Sequence, residues 1–143
     1  APYDGGPTPA IGAEGPARTS AATRYGNVKF IWSHGGGALL GMSNRVAGFN
    51  HDNDVLLKPA APNSKLWHLR RFYYDTAQAA NPILMQGMKA LVGVSQIVFG
   101  TDSPYVEPAI YNQTLPQCGF SAEELRAVDR ENVLRFLPSY RTV

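Results

Sequence analysis

The feature that most constrains the fold is the alternation of short apolar segments with helical segments along the chain. Apolar runs that are typical of buried strands occur at residues 28–32, 72–75 and 97–99. Helical patterns stand between and after these runs, at residues 38–51, 64–71, 81–94 and 122–137. Strands that alternate with helices form parallel sheets with right-handed crossovers. The sequence therefore predicts an α/β fold built on a parallel sheet.

Two of the helices carry specific sequence signals. Residues 81–94 have Pro82 near the first turn. Their apolar side chains recur at helical spacing, at Ile83, Leu84, Met88, Leu91 and Val92. The last helix is predicted to begin after Ser121, which has Glu124 three positions further on and so forms a capping box.

Polar side chains follow the predicted strands at the points where the strands end. His34 precedes three glycines, Asp75 closes the second strand, and Asp102 follows the third. In parallel α/β folds, functional side chains gather at the carboxyl ends of the strands. We therefore expect His34 and Asp102 to meet at one rim of the sheet. Asp75 is interpreted as structural, bonding nearby backbone or pairing with Arg70 or Arg71.

Composition argues against several classes of function. Apolar residues make up 44% of the 143 residues and charged residues 17%, which is a globular composition. The net charge of +2, without basic runs among aromatic residues, gives no reason to expect a nucleic-acid partner. No apolar stretch approaches the roughly 18 residues that span a bilayer, so no membrane partner is predicted either. The single cysteine, Cys118, rules out an intramolecular disulfide framework and is interpreted as an inert thiol.

Four segments in order give the chain a family resemblance. They are "VKFIWSHGGGALL", "RFYYDTAQAANP", "QIVFGTDSPY" and "GFSAEELRAVDRENVLRFLP". With them the sequence resembles the C-terminal part of the amidohydrolase superfamily, in the branch of aminocarboxymuconate-semialdehyde decarboxylase and its salicylate- and resorcylate-type relatives. The resemblance covers about residues 25–138. It implies a partial (β/α)8 TIM-type barrel in which the three strands are strands six, seven and eight.

The resemblance also implies roles for three residues. His34 matches the strand-six histidine that orients and deprotonates a metal-bound water, which makes it the catalytic acid/base. Asp102 matches the strand-eight aspartate that binds a divalent metal, usually zinc, or the water on that metal. Arg45, eleven residues after His34, matches an arginine that anchors the substrate carboxylate, in some members across a dimer interface. The planar guanidinium suits that role because it holds a carboxylate bidentately.

Part of the family's metal site has no match in this sequence. The family takes its other ligands from a His-x-His pair on strand one and a histidine on strand five, whereas a zinc site needs three protein ligands and a water. The remaining histidines are His51 and His68, and either would have to complete a new site. Structural alternatives stay open: His34 and Asp102 as helix or turn caps, and Arg45 as a solvated helix residue.

The predicted organisation is a Gly/Pro-rich arm at residues 1–22, followed by a partial β/α domain at residues 23–143. The arm lacks apolar periodicity, so we expect it to order only against something else, such as a neighbouring subunit. Three strands of a barrel leave open sheet edges and an apolar face that invite pairing. We therefore predict a homo-oligomer or a complementing barrel half, not a bare monomer.

These expectations lead to functions from different classes. The first is a metal-dependent decarboxylase or hydrolase of a small aromatic carboxylate, which by resemblance is a cytoplasmic lyase, impaired if ligands are missing. The second is a structural, self-assembling protein that was recruited from an amidohydrolase fragment and has no catalysis. A module that binds small carboxylates through Arg45 is a third. Whether the chain is an enzyme is left open by the sequence.

Overall fold

The computed structural model describes residues 21–47 and 59–142. Three strands are present in this part of the chain: β1 (Ile31–Trp32), β2 (Tyr73–Asp75) and β3 (Ile97–Val98). The α-helices are α1 (Ala21–Arg24), α2 (Ser43–Ala47), α3 (Lys65–Leu69), α4 (Pro82–Val92), α5 (Tyr111–Thr114), α6 (Ala122–Arg126) and α7 (Asn132–Leu134). Short 3-10 turns lie at His34–Leu39, Val94–Gln96, Pro108–Ile110, Leu115–Cys118 and Pro138–Thr142, and a π-helical turn at Ala127–Glu131. None of the helices in these two ranges has the length and apolarity needed to cross a bilayer.

The three strands form one parallel sheet in the order β1-β2-β3. In the register, Trp32 is paired with Tyr74, and Asp75 with Val98. The prediction of a parallel sheet from strand–helix alternation is therefore confirmed. All three strands point their carboxyl ends to the same rim, which is the rim that carries the polar side chains.

Each strand is shorter than the apolar run that predicted it. The backbone N–H of Phe72 donates to the carbonyl of Leu69 in the turn that ends α3, so this N–H bonds to the helix end and not to a neighbouring strand. The N–H of Phe99 donates to the carbonyl of Val128 in the C-terminal helical segment, not to a strand. Local turns and a helix thus compete for the backbone groups that apolar periodicity assigns to the sheet.

Helix α4 packs its buried face against the sheet and the turn that follows β1. Asn81 caps the helix by accepting the N–H of Leu84 at 2.9 Å, and Pro82 occupies the first turn. The buried side chains are Met85, Met88, Leu91 and Val92. Ile83, which the spacing assigned to the apolar face, is 87% exposed because it lies on the opposite side of the first turn from Met85 and Met88. The prediction was wrong there, and it missed Met85.

The C-terminal helical segment begins as predicted and then departs from regular α-helix. Ser121 accepts the N–H of Glu124, and the Glu124 carboxylate accepts the N–H of Ser121, so the capping box is confirmed. A π-helical turn follows α6 and brings Asn132 into the interior, where it is fully buried. Its side-chain amide donates to the carbonyls of Val94 and Ile97, both at 2.8 Å. This contact fixes the start of β3 to the helix.

The core lies between one face of the sheet and the helices. Its largest fully buried apolar side chains are Leu69, Tyr74, Met85, Met88, Ile97, Cys118 and Val128. By contrast, both residues of β1 are exposed: Ile31 by 49% and Trp32 by 39%. Phe99, directly after β3, is 40% exposed. Large apolar side chains therefore reach the surface at both outer strands of the sheet. The predicted arm at residues 1–22 lies outside the described residues, apart from its last two.

Candidate active site at the carboxyl ends of the strands

His34 leaves β1 through a left-handed turn. The strand ends at Trp32, Ser33 is still extended, and His34 has φ of 57°. Left-handed backbone costs a residue with a Cβ roughly 1–2 kcal/mol, so the conformation needs support. That support is the carboxylate of Asp75, whose Oδ1 accepts the backbone N–H of His34 at 2.7 Å. The histidine is therefore held in place by the end of the neighbouring strand β2.

The glycines after His34 let this turn lie close to the sheet and to α4. Gly35 has φ of 61°, and a Cβ there would lie 3.0 Å from the Cβ of Ala79. Gly36 has φ of 77°, and its Cβ would lie 3.1 Å from the ring of Tyr74. Only glycine combines the left-handed backbone with so close an approach. The glycine run is thus required by the geometry that presents His34.

Asp102 follows β3 and also has a left-handed backbone, with φ of 60°. Its carbonyl accepts the N–H groups of Tyr105 and Val106, which closes the turn behind it. Its carboxylate Oδ2 lies 3.6 Å from Nε2 of His34. The side chains remain accessible, with 44% of His34 and 24% of Asp102 exposed. The predicted approach of His34 and Asp102 at one rim of a parallel sheet is confirmed, while their chemical roles stay predictions.

Asp75 bonds to backbone, as one of the two structural alternatives predicted. Besides His34, Oδ1 accepts the N–H of Ala77 at 3.1 Å, and Oδ2 accepts the hydroxyl of Ser33 at 3.3 Å. The alternative partners are engaged elsewhere: Nε of Arg70 donates to the carbonyl of Leu91, and the guanidinium of Arg71 lies 4.3 Å from the centre of the Trp67 ring. Asp75 is therefore part of the rim, in contact with the histidine turn.

Thr76 links the ends of β2 and β3 by hydrogen bonds directly beneath the rim. The fully buried hydroxyl of Thr76 donates to the carbonyl of Gly100 at 2.8 Å and accepts the N–H of Gly100 at 3.1 Å. A Cβ on Gly100 would lie 2.9 Å from the Cβ of Asp75. The loop that carries Asp102 is thus held in register with Asp75 by a two-way hydrogen bond and a close contact.

Gln78 is a rim residue that the sequence did not reveal. It is the third residue of the rim other than glycine that has a left-handed backbone, with φ of 49°, and its side-chain amide donates to Oδ2 of Asp102. Its backbone N–H donates to the hydroxyl of Tyr111 at 2.8 Å, and that hydroxyl donates to the carbonyl of Thr101 at 3.2 Å. The only sequence signal was its place three residues after β2, which is too weak to single out a glutamine.

The other predicted residues lie apart from this cluster. Arg45 is exposed on α2, and the structure does not bring it against the His34–Asp102 pair. His51 lies outside the described residues. His68 is buried on α3 with its Nε2 3.2 Å from the Thr23 hydroxyl, and burial together with the nearby Arg71 lowers its pKa. Cys118 is buried, and burial raises the pKa of its thiol, which fits the prediction of an inert group.

The side chains of His34 and Asp102 offer atoms of the types that bind a divalent metal, but they are too few for a complete site. An imidazole nitrogen and a carboxylate oxygen are ordinary zinc or manganese ligands. Within residues 21–47 and 59–142, however, no group of three or more His, Cys, Asp or Glu side chains lies close enough together to hold an ion. Neither His68 nor Asp75 completes a site with His34 and Asp102. The described residues therefore offer two possible donors at this rim and do not make up a complete metal site by themselves.

Comparison with known proteins identifies the family. The family model Amidohydro_2, described as amidohydrolase, matches residues 9–138. The chain belongs to this amidohydrolase family. Decarboxylase yanB of Aspergillus niger is 30% identical over 126 residues, which cover 83% of this chain and 34% of that protein. The resemblance inferred from the four sequence segments is confirmed.

Solved structures of two decarboxylases share the fold. One is dihydroxybenzoic acid decarboxylase from Polaromonas sp. JS666, with bound manganese and the inhibitor 2-nitroresorcinol (TM-score 0.69, 18% identity, covering 84% of this chain and 36% of that one). Another is 5-carboxyvanillate decarboxylase LigW from Sphingomonas paucimobilis (TM-score 0.64, 19% identity, covering 82% and 36%).

The parallel sheet is consistent with part of a TIM-type barrel, as predicted, whereas its assignment to strands six to eight stays a prediction. The chain spans about a third of the length of these relatives.

Proposed function

We propose that this chain forms part of a metal-dependent decarboxylase site for a small aromatic carboxylate. The observation that carries the proposal is the 3.6 Å approach of His34 Nε2 and Asp102 Oδ2 at the carboxyl ends of parallel strands. Membership of the amidohydrolase family supports it, as does the likeness to proteins described as decarboxylases of dihydroxybenzoate and carboxyvanillate. The manganese in one structural neighbour supports a divalent ion; zinc is the ion that the sequence resemblance implies.

In this proposal, Asp102 supplies a carboxylate oxygen to the ion and His34 is the acid/base. When bound, a divalent ion polarises a substrate oxygen and lowers the pKa of a bound water to about 7. Loss of CO2 from an aromatic acid leaves an electron pair on a ring carbon, which must receive a proton, and hydrolysis must remove a proton from water. Either reaction needs a group that holds and moves a proton at one atom, and Nε2 of His34 faces the rim where that is possible.

Arg45 is proposed to bind the substrate carboxylate. It lies on α2, the next helix along the chain after the His34 turn, and its side chain is exposed. A guanidinium that binds a carboxylate with two parallel hydrogen bonds fixes both the position and the orientation of the acid. Because Arg45 is not in contact with the His34–Asp102 pair, the proposal requires that it serve a site closed by additional protein, either on this subunit or on a neighbouring one.

We further propose that the active form contains more protein than the described residues. Two donors are too few for a catalytic zinc site, which uses three protein ligands and a water. The exposed apolar side chains of Ile31, Trp32 and Phe99 lie at the two outer strands, where further strands would cover them. A second copy of the chain, or a complementing barrel half, is the partner that this surface suits.

Metal analysis combined with a decarboxylation assay tests the proposal. The purified chain is loaded with Mn²⁺ or Zn²⁺ and assayed for consumption of 2,6-dihydroxybenzoate. Metal-dependent turnover is expected in the wild-type protein; His34→Asn should lower it by about 10²–10⁴-fold while the metal stays bound, and Asp102→Asn should lose both. Asp129→Asn removes the same charge from an exposed residue outside the site and should change neither. Substoichiometric metal together with no turnover in the wild-type chain would refute a site that is completed by copies of this chain, which is the form of the proposal that the purified protein tests.

A structural role is the second candidate, and the exposed apolar residues of β1 favour it. In that case the chain assembles through its open sheet edges, and His34 and Asp102 are remnants of an ancestral site. Sedimentation velocity at micromolar concentration separates the possibilities, because the assembly hypothesis requires a species larger than one chain. A clean monomer contradicts it, whereas an oligomer that also binds metal and turns over substrate favours the enzyme.

A further inference from the structure

Three side chains at the rim form a continuous hydrogen-bonded series that ends on the ring of His34. Oδ2 of Asp75 accepts the hydroxyl of Ser33 at 3.3 Å. The same hydroxyl oxygen lies 2.7 Å from Nδ1 of His34. The series therefore runs from carboxylate to hydroxyl to imidazole, and it joins the ring on the side opposite Nε2, the nitrogen that faces Asp102.

The direction of each hydrogen bond in this series follows from the groups themselves. A carboxylate only accepts hydrogen bonds, and a serine hydroxyl has a single hydrogen to donate. If that hydrogen is directed at Asp75, the oxygen of Ser33 must accept at its other contact, so Nδ1 of His34 must carry the ring hydrogen. A neutral imidazole with its hydrogen on Nδ1 has a free lone pair on Nε2.

We propose that Asp75 and Ser33 are positioning residues that fix this tautomer of His34 and leave Nε2 as the proton acceptor. The catalytic meaning of the assignment rests on the proposed function, whereas the tautomer itself does not. The distance on the other side of the ring permits this tautomer, because 3.6 Å from Nε2 to Oδ2 of Asp102 is too long for a hydrogen bond that would hold the ring hydrogen on Nε2. Oδ2 of Asp102 accepts the amide of Gln78, so a free Nε2 and that carboxylate present two acceptors 3.6 Å apart. Such a pair suits a cation or a hydrogen-bond donor placed between them.

Asp75 does two separate tasks with its two oxygens. Oδ1 accepts the backbone N–H of His34 at 2.7 Å and so holds the left-handed turn that places the ring. Oδ2 acts on the ring through Ser33. The substitution Asp75→Asn separates these tasks, because an asparagine keeps the Oδ1 acceptor and replaces Oδ2 with an NH2 group that donates. Ser33 would then accept from Asn and donate to Nδ1, which moves the ring hydrogen to Nε2.

The ¹⁵N chemical shifts of the histidine rings measure this directly in the metal-free chain. At about pH 8.5 an ordinary histidine, with a pKa of about 6.5, is neutral, and protonated and bare ring nitrogens are then resolved by NMR. We expect His34 to carry its hydrogen on Nδ1 in the wild-type protein and on Nε2 in Asp75→Asn. Ser33→Ala should give the tautomer mixture of free histidine, and Ser33→Thr, which keeps the hydroxyl, should restore the wild-type state.

The ring of His68 is an internal control, because it bonds to Thr23 on a different helix and its shifts should be the same in every variant. A wild-type His34 with hydrogen on Nε2 overturns the inference, as does an unchanged tautomer in a folded Asp75→Asn. If Asp75→Asn does not fold, the comparison of Ser33→Ala with Ser33→Thr still decides, since identical spectra from those two exclude a role for the hydroxyl.

The tautomer experiment and the activity experiment fail independently. With the proposed function, Ser33→Ala should lower turnover by about 10–100-fold, the usual effect of removing an outer partner of a site histidine, and Ser33→Thr should recover it. A chain with the expected tautomers but no metal-dependent turnover retains the positioning role and refutes the proposed function. Turnover that requires His34 but does not change with its tautomer retains the proposed function and refutes the positioning role.

Discussion

Replacing Asn132 by alanine should destabilise the chain by about 1–3 kcal/mol, and the hydrogen bonds of this side chain give the reason. The fully buried side-chain amide donates two hydrogen bonds of 2.8 Å, to the carbonyls of Val94 and Ile97. A buried carbonyl left without its partner costs about 1–3 kcal/mol. Asn132→Ala leaves the carbonyl of Ile97 without this partner, whereas the carbonyl of Val94 still accepts the backbone N–H of Ile97. Oδ1 of Asn132 is itself buried without a partner, so its removal recovers part of that cost.

Urea unfolding followed by tryptophan fluorescence and circular dichroism, at one protein concentration, measures this difference. Asn132→Asp is expected to be less stable than Asn132→Ala, because a carboxylate cannot donate to either carbonyl and adds a buried negative charge. Asn112→Ala, at an exposed position on α5, should stay within about 0.5 kcal/mol of wild type. The reasoning is refuted if Asn132→Ala unfolds like wild type, or if Asn132→Asp is the more stable of the two.

Three further outcomes follow from the rim and the core. Arg45→Ala should weaken the binding of 2,6-dihydroxybenzoate, measured by calorimetry, by about tenfold or more, which corresponds to the loss of one charge-assisted hydrogen bond. Arg126→Ala, at an exposed site on α6, should leave the affinity unchanged. Equal losses in the two variants would contradict the proposed role of Arg45. Gly100→Ala should cost about 1–3 kcal/mol through overpacking against the carboxylate that ends β2, whereas Gly41→Ala meets only a 3.7 Å contact and should be neutral.

The last of the three is a pH effect. The pKa of His68 is lower in the folded chain, so as pH falls below about 6.5 the unfolded chain binds a proton that the folded chain does not, and stability is lost. The free energy of unfolding should therefore drop between pH 7.5 and 5.5 in the wild-type protein, and drop less in His68→Gln. Parallel pH curves for the two proteins would contradict this.

The sequence predicts the sheet well because few topologies satisfy strand–helix alternation with right-handed crossovers. The same rule brings His34 and Asp102 to one rim without any knowledge of side-chain contacts. What periodicity misjudges are the strand ends: Phe72 and Phe99 are apolar enough for the sheet, but their N–H groups bond to a helix end and a helical turn. An apolar side chain predicts that a residue is buried, but it does not predict where a strand ends. The length of a strand depends on backbone hydrogen-bond partners that lie far along the chain.

The sequence predicts only two members of the site, His34 and Asp102. Gln78 gave no signal because its contact with Asp102 depends on a left-handed backbone that a glutamine rarely adopts. Asp75 was predicted either to bond to nearby backbone or to pair with Arg70 or Arg71. Its backbone partner across 41 residues, the N–H of His34, depends on the pairing of β1 with β2. Residues that act through the strands beside them cannot be assigned before those strands are paired.

The order of the strands explains why the residues from β2 matter. His34 follows β1 and Asp102 follows β3, and β2 lies between these strands. Two strand spacings are about 10 Å, so side chains that rose straight from their strands would not meet. Left-handed turns at both residues aim them across the end of β2, which then holds each one: Asp75 binds the backbone of His34, and Gln78 binds the carboxylate of Asp102. The last residue of β2 and the short loop after it therefore set the 3.6 Å separation of the pair, and a change at Asp75 or Gln78 should alter that separation even though neither residue belongs to the pair.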